Sequence, residues 1–465
     1  MVSQLKIFVL ALASSWFILL TTGAVAAQRP NIVFILADDL GYGDLGCYGQ
    51  KNFATPAIDR LAAQGMRFTQ HYAGSTVCGP SRACLMTGQH TGHGTQRANG
   101  NVGLRPDPDD ATVARLLKDA GYSTALIGKS PFLRDDEGRL PNAKGFDHFF
   151  GYATHTAAHR YYPEFLLRNG ERVEYADNHG KEGRQYSSDL ILADALAYIE
   201  SHTGAPFFLH IAFQTPHADL NAPAKWREPF VGQFAESPFE SDRHYRSETH
   251  PKATFAGMVA HLDDAVGQVL DKLHEQGVAE NTIVLLSSDN GAMSEGGWSR
   301  EYFQSSGPLR GGKRDLYEGG VRVPLIAWWP ETIAAGATSD HISAFWDFLP
   351  TACGLAGVDP PKSTDGLSYL PTLLGKPADQ QRHDYLYWEF YEQGGKQAVR
   401  RGNWKAVRRD VFESPDRELE LYDLSKDVGE THDVAADHPE VVAELNAIFR
   451  EAHVDAEEFK MPPPK

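Results

Sequence analysis

The chain has 465 residues, of which 42% are hydrophobic and 11% aromatic, so it can bury a large core and is not a disordered protein. Its 44 basic against 61 acidic residues give a net charge of −17, which argues against a nucleic-acid partner but is compatible with one cationic pocket for an anionic substrate. Four cysteines in a chain of this length exclude a disulfide scaffold.

The N-terminal segment has the pattern of an export signal. Lys6 precedes the apolar run Ile7–Leu20, and Ala24–Ala26 forms a small-x-small cleavage pattern. The run is shorter than the roughly 20 residues that a membrane-spanning helix needs. We expect residues 1–27 to be a cleaved signal peptide and the mature chain to be secreted or periplasmic; an uncleaved membrane anchor is the alternative. No later segment has the length and apolar composition of a span, so none is expected after cleavage.

From Arg29 onward, apolar strand-like runs alternate with amphipathic helical stretches. We predict strands at residues 31–36, 123–127, 206–213 and 282–287. We predict helices at residues 56–64, 113–120 and 255–273. This alternation predicts an α/β fold, in which a large, mixed and mostly parallel sheet is sandwiched by helices.

The pattern changes near Gly375, where short strand-like runs separated by turn residues begin. We predict strands at residues 385–390, 397–401, 404–408 and 418–422, followed by a helix at 440–451. The interpretation is a large α/β domain over residues 28–376 and a small antiparallel subdomain over 377–465. Residues 216–251, rich in charge, aromatics and proline, are predicted to form a long surface excursion.

Two of the predicted strands end in acidic or amide side chains. Asp38 and Asp39 follow the first strand, and Asp289 and Asn290 follow the strand at 282–287. Because the carboxyl ends of parallel strands meet at one edge of a sheet, these side chains are expected to converge. Their oxygens suit a hard cation, Ca²⁺ or Mg²⁺. The alternative is that each pair caps the loop that follows it.

The segment Cys78–Arg82 has the pattern C-x-P-S-R and is followed by Thr87 and Gly88. With this motif, the sequence resembles the type I sulfatases of the alkaline phosphatase superfamily. The resemblance extends from about Asn31 to the end of the chain. Its further motifs are Ala37–Asp39, Gly121–Ala125, Gly128–Lys129, Gly145–Gly151, Thr215–His217, Ser288–Gly291, Gly311–Lys313 and Glu318–Pro324. It implies an alkaline-phosphatase-like fold and a sulfuric ester hydrolase.

The resemblance also implies that Cys78 is oxidised after translation to formylglycine, which makes a formylglycine-generating or sulfatase-maturating enzyme a partner. Of the two hydroxyls on its hydrate, one would attack sulfur beside the cation and the other would let the covalent ester collapse by elimination. The implied ligands of one Ca²⁺ per chain are Asp38, Asp39, Asp289, Asn290 and the modified Cys78. An inert buried thiol is the alternative.

Four further side chains match family positions around the sulfate. Arg82 would hold the hydrated aldehyde and the metal-bound oxygens. Lys129 and Lys313 match the sulfate-binding lysines, whose charges offset those of the transferred group. His217 matches the histidine that contacts sulfate and protonates the leaving oxygen.

One position departs from the family pattern. Many relatives continue Gly-Lys-Trp-His, and that histidine can serve as the base for elimination. Here Lys129 is followed by Ser130 and Pro131, and proline has no titratable group. The nearest histidines in the sequence, His90 and His93, are the candidates to replace it.

The stretches 91–99, 155–163 and 298–302 carry polar, cationic and aromatic side chains of the kind that bind sugars. The candidate substrate-binding residues are His90, His93, Arg97, Asn99, His155 and His159. The leading interpretation is a sulfatase acting on a sulfated carbohydrate or an aryl sulfate. The alternatives are a phosphonate or phosphodiester hydrolase of the same superfamily, and a non-catalytic member that binds sulfated glycans.

Overall fold

The computed structural model describes residues 29–100, 103–105, 111–132, 140–152, 154–241, 245–414 and 417–461. The predicted signal peptide, residues 1–27, lies outside the described residues. No described helix has both the length and the apolar composition that crossing a membrane requires.

One large sheet and one small sheet organise the described chain. The large sheet contains β1 (Asn31–Ala37), β2 (Met66–Tyr72), β3 (Ser123–Lys129), β4 (His148–Tyr152), β5 (Phe165–Arg168), β6 (Glu171–Glu174), β7 (Phe207–Ala212), β8 (Thr282–Ser288), β9 (Arg322–Trp328), β10 (Ala337–Ser339) and β11 (Ser343–Ala344). The small sheet contains β12 (Leu386–Phe390), β13 (Lys396–Arg401), β14 (Trp404–Arg409) and β15 (Glu420–Asp423).

The described helices connect and cover these sheets. They are α1 (Pro56–Gln64), α2 (Cys78–Thr87), α3 (Val113–Asp119), α4 (Ser187–Ser201), α5 (Ala224–Arg227), α6 (Pro251–Glu275), α7 (Arg300–Phe303), α8 (Glu318–Val321), α9 (Phe348–Ala356), α10 (Leu370–Leu373) and α11 (Pro439–Glu451). The predicted helix at 56–64 is confirmed, with Pro56 in its first turn and Gly65 at its end.

The order of the large sheet is β10-β2-β9-β8-β1-β7-β3-β4-β5-β6, with β11 also paired to β2. Its centre, β8-β1-β7-β3, is parallel throughout, whereas β9, β5 and β6 add antiparallel pairs. Alternate residues of β1 point to opposite faces. Val33 and Ile35 pack into a core that includes residues of α1, α4 and α6, while Phe34 and Leu36 pack with residues of α3 and α9. The predicted mixed sheet between helices is confirmed.

The small sheet is antiparallel in the order β12-β13-β14-β15, as predicted. On one face, Tyr387 and Val399 pack against Leu445 and Phe449 of α11. On the other face, Trp388 and Val407 share a core with residues of the large domain, which include Tyr72 and Trp346. One apolar core therefore joins the small sheet to the large one.

The predicted surface excursion at 216–251 is only partly correct. Residues 223–241 are mostly exposed or half-buried, but residues 216–222 are buried. The reason is that this first stretch continues from the end of β7, a central strand, and passes over the carboxyl edge of the sheet before it reaches the surface.

Candidate active site

The carboxyl ends of the four central parallel strands deliver most of the predicted site residues to one place. Asp38 and Asp39 follow β1, and Asp289 and Asn290 follow β8. Lys129 is the last residue of β3, and the segment after β7 carries His217. These side chains are all buried. The convergence predicted from the parallel strand ends is present.

The acidic side chains form a close cluster. Asp38, Asp39 and Asp289 each offer a carboxylate oxygen within 4.8 Å of the others. The Asp39 amide donates to Asp289 Oδ1 at 3.1 Å, and Asn290 Nδ2 donates to Asp39 Oδ1 at 2.7 Å. Asp39 has a φ of 65°, a left-handed conformation that Asp tolerates, and this turn follows directly on the extended β1.

Two oxygen atoms of this cluster are left for a cation. Asp38 Oδ1 and Asn290 Oδ1 are buried and have no hydrogen-bond partner among the described residues. Burial and the neighbouring charge of Asp38 raise the pKa of Asp289 to about 7, because the carboxylates repel one another. Unpaired buried oxygens and crowded carboxylates both fit a site for a divalent metal, and the donor set is entirely oxygen.

Three buried cations surround the acidic cluster. Lys129 Nζ binds Asp38 Oδ2, and Lys313 Nζ lies 2.7 Å from Asp39 Oδ2. Arg82 Nε lies 2.8 Å from Asp289 Oδ2. Burial alone would raise the pKa of Asp38, but the charge of Lys129 and its neighbours outweighs burial and holds that pKa well below its usual value. Three carboxylates and three cations balance, so a bound divalent metal leaves the site positive and suited to an anion.

His217 bridges this charged cluster and the loop that carries Lys313. Its Nδ1 hydrogen-bonds to the Ala218 carbonyl, and its Nε2 lies 3.1 Å from Lys313 Nζ and 3.4 Å from Asp39 Oδ2. Burial and the charge of Lys313 hold the pKa of His217 well below its usual range. The ring is neutral in this arrangement, with Nε2 facing the cluster.

Cys78 is the first residue of α2. Its thiol lies within 4.8 Å of ligand atoms of Asp38 and His217, and burial raises the pKa of the thiol. Arg82 is four residues further along α2, on the same face of the helix. The helix therefore presents Cys78 and Arg82 together to the strand ends.

Asn99 is the predicted substrate-binding residue that lies beside Cys78. Its Nδ2 is 3.9 Å from Cys78 Sγ, and its Oδ1 accepts from the Gly79 amide at 2.9 Å. A Cβ at position 79 would lie 2.7 Å from Asn99 Oδ1 and 2.4 Å from Gln96 Nε2. Gly79 is therefore required for Asn99 to approach the nucleophile position.

His155 and His159 lie in the segment after β4. The rings of His159 and His217 stack with centroids 4.6 Å apart. The charges of Lys129, Arg82 and Asp38 act on His155, and burial together with the two cations lowers its pKa well below the usual value. Both histidines therefore belong to the site.

His90 and His93 are placed elsewhere. Their rings stack with centroids 4.3 Å apart, and both contact Asp365, with His93 Nδ1 2.8 Å from Asp365 Oδ1. They follow the C-terminal end of α2, and the ten residues of that helix span about 15 Å. The prediction that His90 or His93 replaces the missing histidine beside Cys78 is therefore wrong. The residues that separate them from Cys78 in sequence form a helix that leads away from the site.

The prediction that Arg97 binds substrate is also wrong. Its guanidinium is buried, pairs with Glu389 of β12, and donates to the carbonyls of Gly92, Gly94 and Val454. These contacts use its donors to join the 92–97 loop to the C-terminal part of the chain, so it is not presented to a substrate. In the third stretch proposed for sugar binding, Trp298 is likewise part of the core, where it stacks on Phe255 at 3.7 Å.

Two groups near Lys313 were not identified from the sequence. Glu295 pairs with Arg314, and its charge acts on Lys313. Tyr245 lies near His159, with ring centroids 6.5 Å apart. No motif marks either residue. Only the position of Glu295, a few residues after Asp289 and Asn290, was a signal that could have indicated it.

Comparison with protein families agrees with this geometry. Residues 30–358 match the family model described as Sulfatase, and residues 311–455 match the model of the N-sulphoglucosamine sulphohydrolase C-terminal region. The chain belongs to the sulfatase family. The predicted enzyme class, a sulfuric ester hydrolase, is confirmed by this membership.

Individual sulfatases match over most of the chain. N-acetylgalactosamine-6-sulfatase of Canis lupus familiaris is 33% identical over 409 residues, covering 78% of this sulfatase and 71% of the relative. Arylsulfatase A of Homo sapiens is 33% identical over 485 residues, covering 95% and 91%. Among solved structures, that of Ps i-CgsB in complex with k-i-k-neocarrahexaose has a TM-score of 0.77 at 28% identity and covers 91% of this chain and 93% of its own.

Proposed function

We propose that this sulfatase hydrolyses sulfate esters of carbohydrates with a nucleophile made from Cys78 beside a bound Ca²⁺. The observation that carries the proposal is the position of Cys78: it begins a buried helix, and its thiol lies within 4.8 Å of ligand atoms of Asp38 and His217. A buried cysteine surrounded by Lys129, Lys313 and a candidate metal site is not a packing thiol, which would have apolar neighbours.

One Ca²⁺ per chain would be held by Asp38, Asp39, Asp289, Asn290 and the modified Cys78. The oxygen donors, two of them unpaired, support a hard cation and exclude a thiolate–histidine zinc site of the structural kind. Formylglycine at position 78, made by a formylglycine-generating or sulfatase-maturating enzyme, would supply a hydrated aldehyde as nucleophile. Asn99 and the first turn of α2 fix the position of that group.

The roles of the surrounding side chains follow from their contacts. Arg82 orients Asp289 and presents its charge next to Cys78. Lys129 and Lys313 enclose the position of the sulfate and offset its charge. His217 turns Nε2 toward the cluster because Nδ1 is bound to the Ala218 carbonyl. In this neutral form the proton is on Nδ1 and Nε2 accepts from Lys313, so Nε2 would have to gain a proton before the ring could protonate the leaving oxygen.

Two observations support carbohydrate as the proposed substrate class: the side chains around the charged centre and the substrates named for related proteins. Asn99, His159 and Tyr245 place amide, imidazole and aromatic groups around the charged centre, the combination that binds sugar hydroxyls and ring faces. Relatives include an N-acetylgalactosamine-6-sulfatase and a protein crystallised with a neocarrahexaose. Aryl sulfates, which are smaller and have a better leaving group, are expected to serve as test substrates.

The proposal is tested with matched aryl sulfate and aryl phosphate esters and a panel of sulfated mono- and oligosaccharides. The protein is produced together with a formylglycine-generating enzyme. Release of sulfate well above release of phosphate supports the proposal. A clear phosphate preference would establish the phosphonate or phosphodiester alternative, and tight binding of sulfated glycans without turnover would establish the non-catalytic one.

We further propose that residues 28–376 are the catalytic domain, that residues 377–465 are a C-terminal subdomain, and that the chain is exported with loss of residues 1–27. N-terminal sequencing of the mature protein tests the cleavage. A mature chain that still begins at Met1 would favour the uncleaved membrane anchor.

A further inference from the structure

His155 is a half-buried histidine whose ring nitrogens are left unused. Both Nδ1 and Nε2 are buried, and neither has a hydrogen-bond partner among the described residues. Leaving a buried polar atom unpaired is destabilising. Such a group is kept where something outside the described chain completes it, such as a substrate, a reacting group or an ordered water.

His155 lies in the segment that follows β4, and β4 is the neighbour of the strand at whose end the family pattern is broken. Strands β3 and β4 are parallel neighbours, and Lys129 pairs in register with Tyr152. The residues that follow each strand therefore leave the sheet side by side: Ser130 and Pro131 after β3, and the segment with His155 after β4. Lys129, Arg82 and Asp38 are the charged groups that act on His155, and Lys129 and Asp38 also act on Cys78.

Four other histidines have contacts of their own. His217 uses Nδ1 on the Ala218 carbonyl and Nε2 on Lys313. His159 is stacked on His217. His90 and His93 are held by Asp365 beyond the far end of α2. His155 combines buried ring nitrogens, a place in the segment after the strand that neighbours the Lys129 strand, and an open lone pair, and the low pKa keeps its ring neutral.

We infer that His155 is a further catalytic residue, a base supplied from the end of β4 that removes the proton on which breakdown of the covalent intermediate depends. The inference rests on the proposed function. Once sulfate has moved to one hydroxyl of the hydrated aldehyde at position 78, the same carbon bears one free hydroxyl. His155 takes that proton, the O–H electron pair forms the C=O bond, and the C–O bond to sulfate breaks. Sulfate leaves with the electron pair, and the imidazolium returns its proton to water.

His155→Gln tests this role, because Gln keeps similar bulk and hydrogen-bonding atoms but cannot take up the proton. With a chromogenic aryl sulfate, we expect a burst of about one equivalent of phenol per modified chain, followed by turnover slowed by about 100-fold or more. The Cys78 peptide of the quenched enzyme should carry the added mass of one SO₃ group. His93→Gln is the matched control: it removes a histidine held outside the site and should show steady turnover without a burst.

Unslowed turnover, or slowed turnover without either a burst or the heavier peptide, would overturn the inference, since His155 would then not act in the second step. If His155→Gln fails to fold, His155→Ala replaces it, with free imidazole added to the cavity. Recovery of turnover with imidazole supports the role, and no recovery in folded protein overturns it. Failure of the proposed function is separately visible, because the unaltered enzyme would then release no sulfate.

Discussion

Arg82 and Asp289 form a buried ion pair in which Nε lies 2.8 Å from Oδ2. Arg82 belongs to α2, four residues after Cys78, whereas Asp289 follows the central strand β8. This pair fixes the helix that carries the proposed nucleophile to the strand end that carries the proposed metal ligands. A change at either residue therefore acts on both parts of the site.

Asp289→Ala should abolish calcium binding and turnover together. The substitution removes a proposed ligand and leaves Arg82 buried beside an incomplete cluster, which costs about 3–5 kcal/mol of stability. Treating the unaltered protein with a chelator should reproduce the loss of activity and part of the fall in melting temperature. Metal content by atomic emission and calorimetry measure both effects.

Asp263→Asn is the matched control for this experiment. Asp263 is a buried carboxylate that accepts from the amides of Ala57 and Ile58, on α1. Its variant should keep one Ca²⁺ per chain and near-normal activity. Full activity in exhaustively metal-free protein would contradict the metal site.

The Cys78 peptide of active protein should have lost the thiol and gained the mass of an aldehyde or its hydrate. Cys78→Ala should fold normally and show no turnover, because Ala lacks the nucleophile and leaves the packing of α2 nearly unchanged. Cys84→Ala, at another buried cysteine of the same helix, should remain active. Active protein with only unmodified cysteine at position 78 would show that the proposed nucleophile is wrong.

Lys396→Met should raise KM several-fold at nearly constant melting temperature. Lys396 Nζ, on β13, donates to the Arg314 carbonyl at 2.6 Å and lies 3.7 Å from Asp315. It thereby holds the loop next to Lys313. Loss of one such hydrogen bond weakens the interaction that positions this loop by about 1 kcal/mol. Lys426→Met, at an exposed lysine paired with Asp423, is the control. An unchanged KM would mean that the loop does not need this support.

Glu430→Gln should remove part of the pH dependence of stability. Burial, opposed by Lys405 and reinforced by Glu318, raises the pKa of Glu430 from 4.5 to about 7. Between these values the folded chain holds a proton that the unfolded chain has lost, so this contribution to stability is present below pH 4.5 and is lost as pH rises through 7.

Relative to Glu430→Gln, the unaltered protein should therefore lose on the order of 2–3 kcal/mol between pH 4.5 and 7.5. Melting curves at a series of pH values measure this difference. Glu444→Gln, at an exposed glutamate on α11 that pairs with Arg401, should show no comparable change. Parallel curves for Glu430→Gln and the unaltered protein would contradict the assignment.

Arg97→Met should destabilise the fold by about 1.5–3 kcal/mol, because buried Glu389 loses its guanidinium partner and keeps its contacts with Tyr387 and His453. KM for aryl sulfates should stay unchanged, since the guanidinium is occupied away from the site. Denaturant unfolding and steady-state kinetics separate the two effects. A raised KM in stably folded protein would restore Arg97 as a substrate-binding residue.

The fold and the acidic cluster could be predicted because local patterns determine them. Apolar runs such as that of β1 identify central strands, and parallel strands bring their carboxyl ends to one edge of the sheet, whichever loops connect them. Contacts between residues that are far apart in sequence leave no local pattern. One example is the ion pair between Lys405 of β14 and Glu318 of α8, whose charged atoms lie 2.8 Å apart and whose side chains are fully buried.

The errors in the predicted substrate pocket have one physical origin. His90, His93 and Arg97 are close to Cys78 in sequence, but α2 carries the chain away before Gly88 ends the helix in a left-handed conformation with φ of 69°. The chain then meets Asp365 and Glu389, whose positions depend on the C-terminal part of the fold. His155 reaches the site because β4 lies beside β3, a pairing that no local pattern specifies.

Residues 78–82 are all buried in the folded chain, and the Cys78 thiol lies beneath Asn99 and the strand ends. The proposed maturation enzyme would be unable to reach the thiol once α2 has packed. The proposed conversion of Cys78 would therefore have to precede folding of this part of the chain. Molecules that fold before modification would remain inactive. The yield of active enzyme would therefore depend on the rate of modification relative to the rate of folding.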